Sequence, residues 1–465
     1  MMMDLLEQIR AVVGDGGLIT GDDVASRPAD WLGRTTVEAR AIVRPRSTQE
    51  LSDVMRLCHA ARQTVVPASG LTGLVRGQSS RPEDIQISFE RMRAIETIDP
   101  VGRTITVQSG VPLQAVHEAV AGHGLIYGVD LGARGSCTVG GNISTNAGGN
   151  TVIRYGMTRD NVLGLEAVLA DGTIISSMNT LLKNNTAYDL KQLFIGSEGT
   201  LGLVTRAVLR LHPAPASEAT AIVAVDSFEQ LTRFFTLAGA RLGSLLRSFE
   251  VMWDSYYDLI GIQSGRHQPP IPSGHKLYVV IEVAGTDPQR DEALFTEMLG
   301  DALEQGILAD AAIASSKAQR DAIWAIREDV EGQIHMMTPG IAFDISLPIA
   351  KMQDYVEGLK AGLQAACGAD ARMFVFGHIG DNNLHIVVSP RPWNDQSKQA
   401  AEEMVYRPLP TLGGAVSAEH GIGLDKRTWL ALSRSPAELA LMRQIKAALD
   451  PLDLLNRGKV LGGAA

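Results

Sequence analysis

Cysteine is scarce in this chain, and what there is offers no framework. Cys58, Cys137 and Cys367 are scattered and odd in number among 465 residues. Neither a disulfide scaffold nor a CxxC metal pair can be built from them, which fits a reducing compartment. No run approaches the ~18 consecutive apolar residues of a membrane-spanning helix. Residues 1–10 carry Asp4 and Glu7 and lack both a basic start and a long apolar run, so no secretory signal is expected. An excess of positive charge is missing too: 42 Lys and Arg stand against 52 Asp and Glu, a formal net charge of -10. Sequence-independent nucleic-acid binding, which needs phosphate neutralisation, is therefore not expected. Neither GxxxxGK[ST] nor GxGxxG occurs, which argues against a P-loop or a Rossmann dinucleotide site.

The length exceeds what one hydrophobic core supports, so two or more domains are expected. Residues 50–63 place Leu51, Val54, Met55, Leu57 and Cys58 near helical spacing. Short strands are predicted at 64–67, 85–89, 104–108, 164–169 and 203–211, in a mixed segment dense in turns. Pro213 and Pro215 mark a boundary. Beyond it strands and helices alternate, including a strand over 277–283 and one helical pattern over 316–334. A last helix is predicted over 436–449, stopped by Asp450-Pro451.

Three segments are rich in glycine and hydroxyl groups. The first, Pro67 to Gly77, follows a predicted strand, and its glycines let amide groups converge on an anion. The second, Asp130 to Gly149, packs glycines, hydroxyls and amides so densely that a polar ligand along the backbone best explains it. The third, Gly196 to Thr205, has the same character. In the second half, His378 and His385 flank Gly380-Asp381-Asn382-Asn383, a turn expected to bring two strand ends together. With Glu419-His420 downstream, the residue types suit an open metal site, whose three protein ligands leave room for substrate.

The order of the glycine-rich segments resembles the FAD-binding domain of the vanillyl-alcohol oxidase (PCMH) type. GHIGDNNLH and SAEHGIG resemble the branch containing D-lactate dehydrogenases, the glycolate oxidase D subunit and D-2-hydroxyglutarate dehydrogenases. The resemblance covers roughly residues 40 to 462. It implies an α+β chain: an FAD-binding domain over 1–214, an α/β cap that binds substrate over 215–415, and a short helical segment over 416–465 closing the active site. It implies non-covalent FAD, with Pro67, Ser69, Gly70, Leu71, Thr72 and Gly73 around the pyrophosphate. Ser136, Thr138, Gly140, Gly141, Ser144, Thr145 and Gly148 would line the cofactor, and Gly199 and Val204 would lie nearer the adenine. Asn456 and Lys459, in an NPGK-like stretch with Arg457 in place of proline, would complete the set.

The same resemblance makes His378, His385 and Glu419 ligands of a divalent metal, zinc first, with manganese or iron as alternatives. His420 becomes the general base and Arg327 the carboxylate-binding residue. The implied reaction is oxidation of a D-2-hydroxy acid to the 2-oxo acid, with hydride passing to flavin N5. Implied partners are a small 2-hydroxy acid and an electron acceptor: a quinone, an electron-transfer flavoprotein, a cytochrome or oxygen. A cytoplasmic protein is expected, with peripheral membrane contact and a homodimer left open.

Three departures bear on the substrate. Relatives acting on 2-hydroxyglutarate typically carry Thr where Glu331 stands, Lys where Ala342 stands, and Asn where Val387 stands. A second carboxylate would lose its cation here and meet the charge of Glu331, which favours a monocarboxylic acid such as D-lactate or a longer one. D-2-hydroxyglutarate and a glycolate oxidase D-type role are the alternatives within the branch. A non-redox FAD-dependent transferase or a non-catalytic subunit are the alternatives outside it.

Overall fold

The computed structural model describes residues 4–462; residues 1–3, the start of the N-terminal stretch read above, and 463–465 lie outside them. The chain forms two compact units. One comprises Met1–Gly149, Tyr155–Ala214 and Glu419–Ala465, the other Asn150–Arg154 and Pro215–Ala418. No helix among the described residues is long and apolar enough to cross a membrane.

In the first unit, helix Thr48–Ala60 starts where the Ser47 side chain accepts the Glu50 N–H, and it buries Leu51, Val54, Met55 and Cys58. That stripe packs on a four-stranded sheet ordered Leu18–Thr20, Ala41–Val43, Ile85–Ser88, Val65–Ala68. The second sheet of this unit is built around strand Leu203–Pro213, which pairs antiparallel with Thr104–Gln108, Val162–Val168 and Leu125–Tyr127.

The second unit is organised by a seven-stranded sheet in which every recorded pairing is antiparallel. Its order is Asp310–Ile313, Ser217–Val225, Leu277–Gly285, Leu246–Trp253, Arg372–His378, Asn383–Ser389, Ile341–Ser346. On one face, Ile222, Val280, Met252, Phe374 and Phe376 form a core with Ile323, Ile326 and Met337 from the helices.

The division differs from the sequence reading in two places. The C-terminal stretch joins the first unit because Val65 donates to Leu454 O at 2.8 Å and Lys446 Nζ donates to Thr200 O at 2.9 Å. Residues 150–154 join the second because Ser248 Oγ donates to Asn150 O at 2.7 Å and Arg154 reaches Leu245 O. The single helical pattern over 316–334 is also two helices, Lys317–Arg327 and Val330–Met337. Asp329 starts the second by accepting the Gly332 N–H at 2.8 Å.

Candidate active site

Strand Arg372–His378 ends on His378, a turn spans Ile379–Asp381, and strand Asn383–Ser389 begins two residues before His385. Asn382 closes the turn at φ 70°, a left-handed conformation that asparagine tolerates. Phe376 stands opposite His385 in the antiparallel register, so His378, two residues on, shares the face of His385. The two imidazole centroids are 5.3 Å apart with planes at 79°.

Each histidine has a buried carboxylate behind it. Glu250, opposite His378 in register, accepts a hydrogen bond from His378 Nδ1 at 2.8 Å. Asp344, opposite His385, lies 3.7 Å from His385 Nδ1. Carboxylates at Nδ1 favour Nε2 as the ligand nitrogen, the outer-shell arrangement that orients metal-binding imidazoles. The donor chemistry of this face therefore fits a divalent metal.

Arg327, the last residue of its helix, is 5% exposed. It donates from NH2 to Glu250 Oε2 at 2.8 Å, lies 3.4 Å from His378 Nε2, and sits 4.5 Å over the Phe376 ring. Its Nε is buried and has no acceptor among the described residues. Burial opposes ionisation of Glu250, but the charges and hydrogen bonds of His378 and Arg327 outweigh it and hold the carboxyl below its usual range.

Asp344 also accepts from Asn383 Nδ2 at 2.7 Å, Ser417 Oγ at 3.3 Å and the Ala418 N–H at 3.1 Å. This ties down Ser417 and Ala418 at the end of the second unit. In the first unit, Glu419 Oε1 accepts the Gly149 N–H at 2.6 Å. Just beyond, the Glu198 carboxylate accepts the N–H groups of Ile422 and Gly423 at 2.7 and 2.8 Å. Gly421, at φ 81°, passes so close that a Cβ there would meet Glu198 Oε1 at 2.7 Å.

A family model for the FAD binding domain matches residues 39–177, and the model for FAD linked oxidases, C-terminal domain, matches residues 214–460. The chain belongs to the FAD-linked oxidases. The D-2-hydroxyglutarate dehydrogenase, mitochondrial, of Bos taurus is 38% identical over 448 residues, covering 96% of this chain and 81% of its own. A D-2-hydroxyglutarate dehydrogenase of Xanthomonas citri pv. viticola is 40% identical over 436 residues, covering 93% of this chain and 91% of its own. The solved structure of p-cresol methylhydroxylase superposes with a TM-score of 0.78 at 14% identity, over 99% of this chain and 96% of that one. The fold is that of the PCMH-type flavoproteins, and the chain is an FAD-binding oxidoreductase.

The glycine-rich segments of this FAD-linked oxidase come together within the first unit. Thr138 Oγ1 donates to Ser69 Oγ at 2.7 Å, and a Cβ on Gly70 would collide with the Ser136 carbonyl. None of the backbone N–H groups from Ser69 to Gly73 donates to a protein acceptor among the described residues. Unused donors in a glycine-containing loop suit a pyrophosphate, so the loop containing Leu71 and Thr72 fits the cofactor. Thr138 also caps helix Val139–Thr145 through the Gly141 N–H, while Ser144 and Thr145 donate back to Gly140 O and Gly141 O. Gly199, at φ 70°, lies against Pro67, Val204 O accepts the Ser109 hydroxyl, and Gly148 is buried.

Asn456 and Lys459 are engaged with protein atoms. Asn456 Nδ2 donates to Gly77 O at 3.1 Å and Glu198 O at 2.7 Å, bracing two glycine-rich loops. Lys459 Nζ donates to Ser79 O at 2.7 Å. Burial, opposed by Asp84 and reinforced by Arg81 and Arg427, pushes its ammonium down to about 8.

Glu250 and the loop-anchoring role of Glu198 escaped the sequence reading. Glu250 sits in an unremarked apolar strand, 128 residues from His378. Glu198 lies inside a glycine-rich segment whose backbone drew the attention.

Proposed function

We propose that this FAD-linked oxidoreductase oxidises a monocarboxylic D-2-hydroxy acid, D-lactate or a longer homologue, to the 2-oxo acid. The observation that carries it is Arg327: a buried guanidinium with an unpartnered Nε, set beside His378. An isolated surface arginine would be solvated, whereas this one is desolvated and short of an acceptor, as a carboxylate-binding group should be.

Arg327 would hold the substrate carboxylate. His420 would take the proton of the 2-hydroxyl, breaking O–H as the carbonyl forms and the α-hydrogen leaves with its electron pair. FAD would be held without a covalent bond by the loops of residues 69–73 and 136–148 and would supply the two-electron acceptor for that hydride. A divalent metal, zinc first, would be held by His378, His385 and Glu419 and would supply Lewis acidity that makes the hydroxyl more acidic. Cys137 is buried and its thiol is pushed up by burial, which supports dissociable flavin.

D-2-hydroxyglutarate is a second reading, favoured by the names of the relatives and by Glu331. That residue is 81% exposed at its side chain and paired with Arg266 at 2.7 Å. Its charge is neutralised at the surface, so the repulsion expected from the sequence loses its basis. Ala342 and Val387 remain the argument for a monoacid.

Anaerobic mixing with D-lactate, L-lactate, D-2-hydroxyglutarate and a longer D-2-hydroxy acid tests both readings through loss of the oxidised flavin absorbance. Bleaching led by D-monoacids and lost on chelation supports the first. Bleaching led by the diacid supports the second, and no bleaching in metal-replete protein overturns both.

A further inference from the structure

Glu250 is 1% exposed in the middle of the second unit's sheet, and its two oxygens are divided between two groups. Oε1 faces His378 Nδ1 and Oε2 faces Arg327 NH2, each at 2.8 Å. Register fixes the first contact, because Glu250 and His378 are cross-strand partners. The end of helix Lys317–Arg327 brings the second. A carboxylate buried this deeply needs charged or hydrogen-bonding partners beside it.

We propose that Glu250 is a positioning residue that sets the metal ligand and the substrate arginine together, so that affinity for metal and affinity for the acid depend on one carboxylate. This rests on the roles proposed above for His378 and Arg327. An ionised Glu250 holds the proton of His378 on Nδ1 and directs the Nε2 lone pair to the ligand position. The same carboxylate fixes NH2 of Arg327 and leaves Nε as the donor without a protein partner. Glutamine has the same shape but one acceptor and one donor. Whichever way its amide turns, an N–H group faces either His378 Nδ1 or Arg327 NH2, and one arm is lost.

The test compares wild type, Glu250→Gln, Glu250→Asp and Arg327→Met, as full-length flavoproteins whose fold is checked by circular dichroism. Two quantities are read: zinc affinity by chelator competition with metal analysis, and KM against kcat for the best acid. Arg327→Met is expected to raise KM while keeping zinc. Glu250→Gln is expected either to lose about 10–100-fold in zinc affinity, as outer-shell partners of metal ligands do, or to raise KM, according to which way its amide turns. Glu250→Asp, one methylene short, is expected to fail in at least one arm. Wild-type values for zinc and KM in a folded Glu250→Gln overturn the proposal.

Should both Glu250 variants fail to fold, histidine-15N-labelled wild type still decides. Stripped of metal, it is expected to show one ring with a hydrogen-bonded Nδ1 proton that disappears in His378→Asn, and absence of that signal overturns the proposal. Wild type that takes up no zinc refutes the metal reading above, whereas zinc bound tightly by wild type and Glu250→Gln alike, with equal KM, refutes only the role of Glu250.

Discussion

Ala342 and Val387 stand directly opposite one another where strands Ile341–Ser346 and Asn383–Ser389 pair, two residues along from Asp344 and His385 and on the same face. Val387 in turn stands opposite Phe374. The stretch of sheet beside His385 is thus apolar where a second carboxylate would need a donor. Ala342 is exposed, so a longer side chain can enter without disturbing the core. Ala342→Lys is expected to shift the kcat/KM ratio toward D-2-hydroxyglutarate over D-lactate by about tenfold or more, since a hydrogen bond to a charged group contributes roughly 1.5–3 kcal/mol. An unchanged ratio in a folded variant would remove this pair from the specificity argument.

Arg327→Met should show where the acid is held. Losing the charged partner of the carboxylate is expected to raise KM at least tenfold, with a smaller loss in kcat. Arg327→Lys should recover little, because an ammonium cannot reproduce the planar fork or its stacking on Phe376. Glu250 left without its cation should also lower the thermal midpoint. Steady-state kinetics with D-lactate reads the first effect; a wild-type KM in Arg327→Met would place the carboxylate elsewhere.

Much of this site is written locally in the chain. Two apolar runs around Gly380-Asp381-Asn382-Asn383 mark a hairpin, and the period of two along a strand then puts both histidines on one face. Helix Val139–Thr145 was not legible, because Gly140 and Gly141 sit in its first turn and depress helix propensity. The break at Glu328-Asp329 was hidden too, since the apolar period continues across it while the cap depends on the Asp329 side chain. Glu250 belongs to a third kind. Its meaning comes from strand pairing and from a helix end 77 residues away, which no local pattern encodes.

Glu198→Gln tests whether the loop bearing Glu419 and His420 needs its anchor. The wild-type carboxylate accepts two backbone N–H groups, and a glutamine turns a donor toward one of them. A cost of about 1–3 kcal/mol in stability is expected from the unsatisfied group. Turnover should fall more than flavin content, because the loop and not the 69–73 segment is loosened. Flavin titration beside kcat separates the two, and full turnover with a lowered midpoint would make Glu198 a purely structural residue.

Lys459 gives a pH signature in flavin-free protein. Its folded pKa is lowered to about 8 from an ordinary 10.5. Below pH ~8 the ammonium is protonated in both states, and the native state carries the full cost of burying it. As pH rises from about 8 toward 10.5 the native state gives up its proton first, the unfolded chain binds more protons, and that cost fades. Relative to Lys459→Met, wild type should therefore gain stability across this window, by about 3 kcal/mol at most. Urea unfolding at pH 7, 8, 9 and 10 measures it as a difference between the two proteins, which cancels the titration of every other group. Parallel curves would mean that Ser79 O and Asp84 solvate the ammonium as well as water does.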